Sequence, residues 1–138
     1  MKKLFIATLI MAASAFSHAA GEAITVYKDP HCGCCEGWVE HLRESGFKVK
    51  AIDSADMSAI KKRLGVPDAA ASCHTGVVDA SGQVIEGHVP AAAVKKLIAT
   101  PAVKGVAVPG MPMNSPGMGK MDGNLVTVDF SGKPFSKD

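Results

Sequence analysis

Three of the chain's four cysteines, Cys32, Cys34 and Cys35, fall within four positions of the run Asp29-Pro30-His31-Cys32-Gly33-Cys34-Cys35. The fourth, Cys73, stands far along the chain and is followed at once by His74. Thiolates crowded beside imidazoles act as soft-metal ligands or as redox groups. Cys32 and Cys35 have the Cys-x-x-Cys spacing of a redox dithiol. Cys34 lies between them, where a dithiol has no use for it and where it could form mixed disulfides. A single tetrahedral zinc is poorly served, because structural zinc pairs stand about two to four residues apart. Neighbouring thiolates suit bridging between several small soft ions, and copper(I) is the candidate. Structural disulfides are a further reading. Cys32–Cys35, or the cluster to Cys73, could pair, whereas adjacent Cys34 and Cys35 could join only through a strained ring.

Methionine adds to the soft-donor set. Met111, Met113, Met118 and Met121 share one Pro/Gly-rich stretch with no helical or strand period. A thioether stays neutral and binds copper(I) without losing a proton, which makes Met111 and Met118 candidate ligands. The alternative is that these methionines fill gaps where a loop packs on the domain. His74 is a candidate ligand beside Cys73. His31, His88 and Met113 are expected around the ligands, as hydrogen-bond partners or packing groups. His41 falls on the polar side of a helix and reads as solvated. Lys61-Lys62-Arg63 reads as a solvated helix face or a docking patch for an acidic partner.

Positioning these groups requires a scaffold. Ala23 to Lys28 is rich in β-favouring residues and reads as a strand ended by Asp29-Pro30. Helical spacing of Trp38, Val39 and Leu42 predicts a helix over 35–45, stopped by Gly46, with Trp38 in the core. Residues 47–52 alternate as a half-buried strand. Ser54 can cap a short helix with Met57, Ile60 and Leu64 on its apolar side, ended by Gly65 and Pro67. Strands are expected at 75–78 and 83–86 about a turn at Asp79 to Gly82. Pro90 opens a helix running to about Ala99. Residues 101–123 read as a loop and Leu125 to Phe130 as a last strand. The order β-α-β-α-β-β-α predicts an α/β, thioredoxin-like domain with a central mixed sheet flanked by helices. In such a domain the cysteine loop sits at the N-terminus of the first helix. The segment before the third strand, here Ser72-Cys73-His74-Thr75, lies opposite it. A helix N-terminus offers unpaired N–H groups and positive dipole potential, which favour thiolate for either chemistry.

Residues 1–19 have the form of an export signal. Lys2 and Lys3 lead an apolar stretch from Leu4 to Phe16, and Ser17-His18-Ala19 resembles a cleavage site before Ala20. The apolar stretch is short for a membrane span, and no later segment is long enough. The expected destination is the periplasm, with residues 20–138 as one domain. Over the whole chain 15 basic residues face 13 acidic ones, and loss of Lys2 and Lys3 would balance them. No basic stripe or aromatic platform points to nucleic acid. No phosphate loop, Gly-x-Ser-x-Gly or His-Glu-x-x-His points to nucleotide work or hydrolysis.

Taken together, Asp29-Pro30-x-Cys32-Gly33-Cys34-Cys35-x-x-Trp38-Val39, Gly46-Phe47-x-Val49, Leu64-Gly65-Val66-Pro67, Ser72-Cys73-His74-Thr75, Ile85-Glu86-Gly87-His88-Val89-Pro90-Ala91 and Ala107-Val108-Pro109-Gly110-Met111-Pro112 resemble the CopG-type periplasmic copper-resistance proteins. These were long catalogued as a domain of unknown function. The resemblance spans nearly all of residues 20–138. It implies a thioredoxin-like copper-binding domain exported by Gram-negative bacteria and often encoded with copper-efflux systems. Its pattern covers Cys32, Cys34, Cys35, Cys73, His74, His88, Met111 and Met118. Two functions compete. One is a periplasmic copper-binding protein of copper resistance, holding one or more copper(I) ions, with redox cycling or transfer to efflux partners as further roles. The other is a thiol–disulfide oxidoreductase using Cys32 and Cys35. A thioredoxin-type enzyme places a cis-proline before its third strand, where this chain has Cys73-His74. That difference favours a metal-binding protein over an enzyme.

Overall fold

A computed structural model describes residues 21–138; the expected export signal over residues 1–19 lies outside them. One seven-stranded mixed sheet runs through the molecule in the order β2-β1-β3-β4-β5-β6-β7. Its strands are β1 (Ala23–Lys28), β2 (Lys48–Asp53), β3 (His74–Val78), β4 (Val84–Glu86), β5 (Gly105–Ala107), β6 (Val126–Asp129) and β7 (Pro134–Lys137). The helices are α1 (Gly33–Glu44), α2 (Met57–Arg63) and α3 (Ala91–Ile98), with a short 3-10 turn at Asp68–Ala70. β1 runs parallel to β2 and antiparallel to β3, and β3 is antiparallel to β4. That is the thioredoxin-like core the element order predicts.

The two faces of the sheet bury different clusters. Ile24, Val26, Val78, Ile85 and Val106 pack with Trp38, Val39 and Leu42 of α1 and with Val94 and Leu97 of α3. On the opposite face Val84 and Ala107 pack with Val66 and Ala70. Alternation along a strand sends successive side chains to opposite faces, so both faces must be covered for neighbours such as Val84 and Ile85 to be buried together. Burying one such aliphatic side chain contributes roughly 1.5–3 kcal/mol.

Departures from the sequence expectations have identifiable causes. The 101–123 stretch is not wholly loop, because β5 crosses it and extends the sheet beside β4. Three residues with a leading Gly105 carry too weak a periodic signal to mark a strand. A side chain at Gly105 would collide with the Phe130 ring. Pro134 hides β7 from a sequence reading, and an edge strand tolerates it. The cap of α2 is Asp56, whose Oδ1 accepts the Ala59 N–H at 2.9 Å, while Ser54 Oγ accepts the Asp56 N–H one step earlier. Ala51 is exposed because β2 is an edge strand.

Candidate metal centre

Cys32 occupies the N-cap of α1, so Cys34 and Cys35 lie in its first turn. Backbone N–H groups there lack helical acceptors, so this end of the helix is the positive end of its dipole. Cys35 is fully buried, and Cys32 and Cys34 are half-buried. Cys32 and Cys35 form a disulfide, while Cys34 and Cys73 are free thiols. Cys34 Sγ lies 3.4 Å from Cys32 Sγ.

The opposite wall is built from β3, β4 and the chain segments that flank them. Cys73 directly precedes β3, His74 begins it, and His88 lies two residues past β4. Gly87 adopts a positive φ of 72°, and a Cβ there would meet Val108 O at 2.7 Å and Ser72 Cβ at 2.8 Å. The glycine therefore lets the chain leaving β4 turn tightly against the Cys73 segment. Sγ of Cys73 lies 3.4 Å from His74 Nδ1 and 3.2 Å from His88 Nε2.

Each imidazole is held from behind by a backbone carbonyl. His74 Nε2 donates to Gly87 O at 2.9 Å, and His88 Nδ1 donates to Pro116 O at 2.8 Å. A carbonyl can only accept, so the nitrogen facing Cys73 is the bare one in both neutral rings. A partner behind the ring that sets the tautomer is the usual arrangement of a metal-binding histidine. Burial pushes the His74 imidazolium down to about 3, with His88 and Lys61 near by adding to the effect. Burial likewise lowers His88. Both rings are thus neutral near pH 7, the form that binds metal. The Cys73 thiol is raised, first by burial and then by Cys34 beside it, so a metal bound there would displace a proton.

The two walls meet. One potential ligand of each of Cys32, Cys34, Cys35 and Cys73 lies within 4.8 Å of the others, and Cys73, His74 and His88 form a second such group. Cys73 belongs to both. His31 is exposed, with its N–H bonded to Asp29 Oδ1, and stands in neither group. His88, expected beside the ligands, presents its bare nitrogen on the same sulfur as His74 does. Met111 and Met113 are open to solvent, 54% and 69% exposed, and Met118 is half-buried. The methionine stretch nonetheless borders the site. Ser72 Oγ donates to Gly110 O at 2.6 Å, and a Cβ on Gly117 would meet Trp38 N at 2.7 Å and Cys34 O at 2.8 Å.

Trp38 joins the walls. Its ring lies 4.3 Å from that of His74, and its Nε1 donates to Val89 O at 2.8 Å. Two further charged residues had no place among the sequence candidates. Lys28, almost fully buried, reaches Glu36 at 2.7 Å and Asp53 at 2.6 Å, tying the end of β1 to the first turn of α1 and to β2. Those two carboxylates raise its pKa, that of Asp53 most. Inward alternation of Ile24, Val26 and Lys28 was the available signal. Glu86, with no exposure at all, pairs with Lys61, so Lys61 is not part of a solvated face. His41 is not solvated either: its Nε2 accepts the Ala91 N–H at 3.0 Å, at the start of α3.

Comparison with known proteins agrees with this architecture. Residues 70–118 match a family described as protein of unknown function, DUF411. Two solved structures described as copper resistance protein CopG, form 1 and form 2, are each 47% identical to the chain. Each alignment covers 86% of this chain and 98% of the solved one, with a TM-score of 0.75. No curated protein matches.

Proposed function

The chain belongs to the copper resistance protein CopG family, and from that premise we propose that it binds copper(I) as cargo on Cys32, Cys34, Cys35, Cys73, His74 and His88. The observation that carries this reading is the sharing of Cys73 between an all-sulfur group and a sulfur–imidazole group. Thiolate and neutral imidazole are donors that copper(I) accepts. Six such donors on two groups with a common sulfur suit more than one ion, bridged by thiolate. Met111 and Met118 would act at the border of the site, as thioethers that copper meets on entering or leaving.

The residues do separate work. Opening the Cys32–Cys35 disulfide takes two electrons and two protons from a thiol reductant and yields two thiols. The N-terminus of α1 then favours their ionisation, while the buried rings of His74 and His88 stay neutral and pre-oriented. Residues 1–19 support delivery to the periplasm, where copper cycling and passage to efflux components would take place. Among the described residues no helix is long and apolar enough to cross a membrane.

The Cys32–Cys35 disulfide at a helix N-terminus supports a second reading, thiol–disulfide exchange. That chemistry has no use for Cys73, His74 and His88. The test is anaerobic titration of the reduced protein with copper(I) against a chromophoric chelator. More than one copper per chain, with thiolate-to-copper charge-transfer absorption, is the expected result. Absence of binding together with brisk reduction of a disulfide substrate would overturn the copper reading.

A further inference from the structure

Glu86 lies on the sheet face opposite His74 and touches none of the proposed ligands, yet its carboxylate is completely buried. Three donors converge on it. Oε1 accepts the Ser72 N–H at 2.6 Å and the Lys61 ammonium at 2.5 Å, and Oε2 accepts the Thr75 hydroxyl at 2.6 Å. Lys61 also donates to Thr75 Oγ1 at 3.0 Å. A carboxylate only accepts, which matches a ring of donors. These contacts bracket Cys73: Ser72 precedes it, and Thr75 comes two positions later.

The segment they bracket is held otherwise by the Ala71 N–H on Asp68 O at 3.3 Å and by the Ser72 hydroxyl on Gly110 O. Residues 71–73 belong to neither the 3-10 turn nor β3. The Ser72 hydroxyl ties the segment to Gly110 O, and the Ser72 backbone N–H ties it to Glu86, on the residue adjoining Cys73. We propose that Glu86 is a positioning residue for Cys73, holding the Ser72 amide so that the neighbouring sulfur meets His74, His88 and the cysteines of α1. Lys61 sets its ammonium against the same oxygen, an opposite charge beside a buried carboxylate. The significance of this hold for copper rests on the proposed function; the hold itself does not.

Two variants separate geometry from charge. Glu86→Gln keeps an oxygen for the Ser72 amide while giving up the ion pair, and Glu86→Ala removes the acceptor. In the disulfide form Cys34 and Cys73 are the two free thiols, so alkylation followed by mass spectrometry reads them without metal. Using protein purified from the expressing cell, Glu86→Ala should raise the rate at Cys73 relative to Cys34 by about tenfold. Glu86→Gln should stay within about threefold of the parent. The copper(I) affinity of reduced Glu86→Ala should fall by about 10–100-fold, the usual cost of losing a partner behind a ligand. Unchanged thiol ratios in folded Glu86→Ala would overturn the proposal. Should that variant not fold, as judged from the emission of buried Trp38, amide exchange in the parent decides. A Ser72 amide that exchanges slowly supports the hold, and one that exchanges as freely as an unbonded amide overturns it. A changed thiol ratio with unchanged copper(I) affinity would uphold the hold on Cys73 and count against the copper reading.

Discussion

The two walls of the site are built by opposite means. The α1 wall is local: Cys32, Cys34 and Cys35 are consecutive or nearly so, and one helix N-terminus orients them. The β3–β4 wall is assembled from a distance. Cys73 and His74 come from one segment, His88 from another, and the carbonyls behind the rings from Gly87 and Pro116. Burial governs its chemistry, keeping the imidazoles neutral and the Cys73 thiol protonated. A local wall can lose a sulfur and keep its shape. A wall assembled from a distance depends on each tether, and Cys73 is the one sulfur common to both ligand groups.

The sharpest way to break this contrast is to remove one sulfur from each wall. Cys73→Ser should lower copper(I) affinity by about 100-fold or more, beyond what loss of a supporting group costs, because both ligand groups lose a member. Cys34→Ser should cost less, since Cys32 and Cys35 remain beside it. Competition with a chromophoric chelator measures both, and equal losses would mean that the walls are not distinct in this respect.

A milder perturbation acts between the walls without removing a ligand. Gly117 has a φ of 88° and no room for a Cβ between Trp38 N and Cys34 O. Gly117→Ala should destabilise the protein by about 1–3 kcal/mol through backbone strain. It should also draw Pro116 away from His88 and leave the Cys32–Cys35 disulfide intact. Denaturant unfolding reads the first effect, and the imidazole resonances of His88 read the second. Undisturbed His88 resonances would show that the loop does not set its tautomer.

The smallest expected effect lies outside the site. Burial lowers the pKa of His41, partly offset by Glu44, so the neutral ring that accepts the Ala91 N–H is the folded form. The unfolded chain takes up the proton first. His41 therefore contributes its full stability above its unfolded value of about 6.5 and loses it as pH falls through the folded one. Unfolding of the parent and of His41→Gln should differ by about 1 kcal/mol at pH 7.5, the scale of one hydrogen bond, and the gap should close toward pH 5. A gap independent of pH would exclude titration of His41 as its source.

Much of the scaffold was legible because its signals are local. Trp38, Val39 and Leu42 mark the buried stripe of α1, and alternation marks β1. β5 and β7 were not legible, since three or four residues with Gly105 or Pro134 become strands only when a neighbour offers a hydrogen-bonding edge. The same holds for charge. Lys61 stands in a basic run that reads as solvated until β4 brings Glu86 beneath it. His41 reads as polar surface until α3 begins against it.

Residue chemistry alone determined that four thiols, several imidazoles and a group of thioethers belong to this chain, and that soft-metal or redox work suits them. It also determined the cysteine wall, because adjacency in sequence is proximity in space at a helix N-terminus. Only the tertiary structure decided that Cys73 is common to two groups and that His88 faces it with a bare nitrogen while His31 stands apart. It also decided that Glu86 grips the amide beside Cys73. The physical reason is that side-chain direction and hydrogen-bond partners across a sheet depend on register and turns, which join residues that share no local pattern.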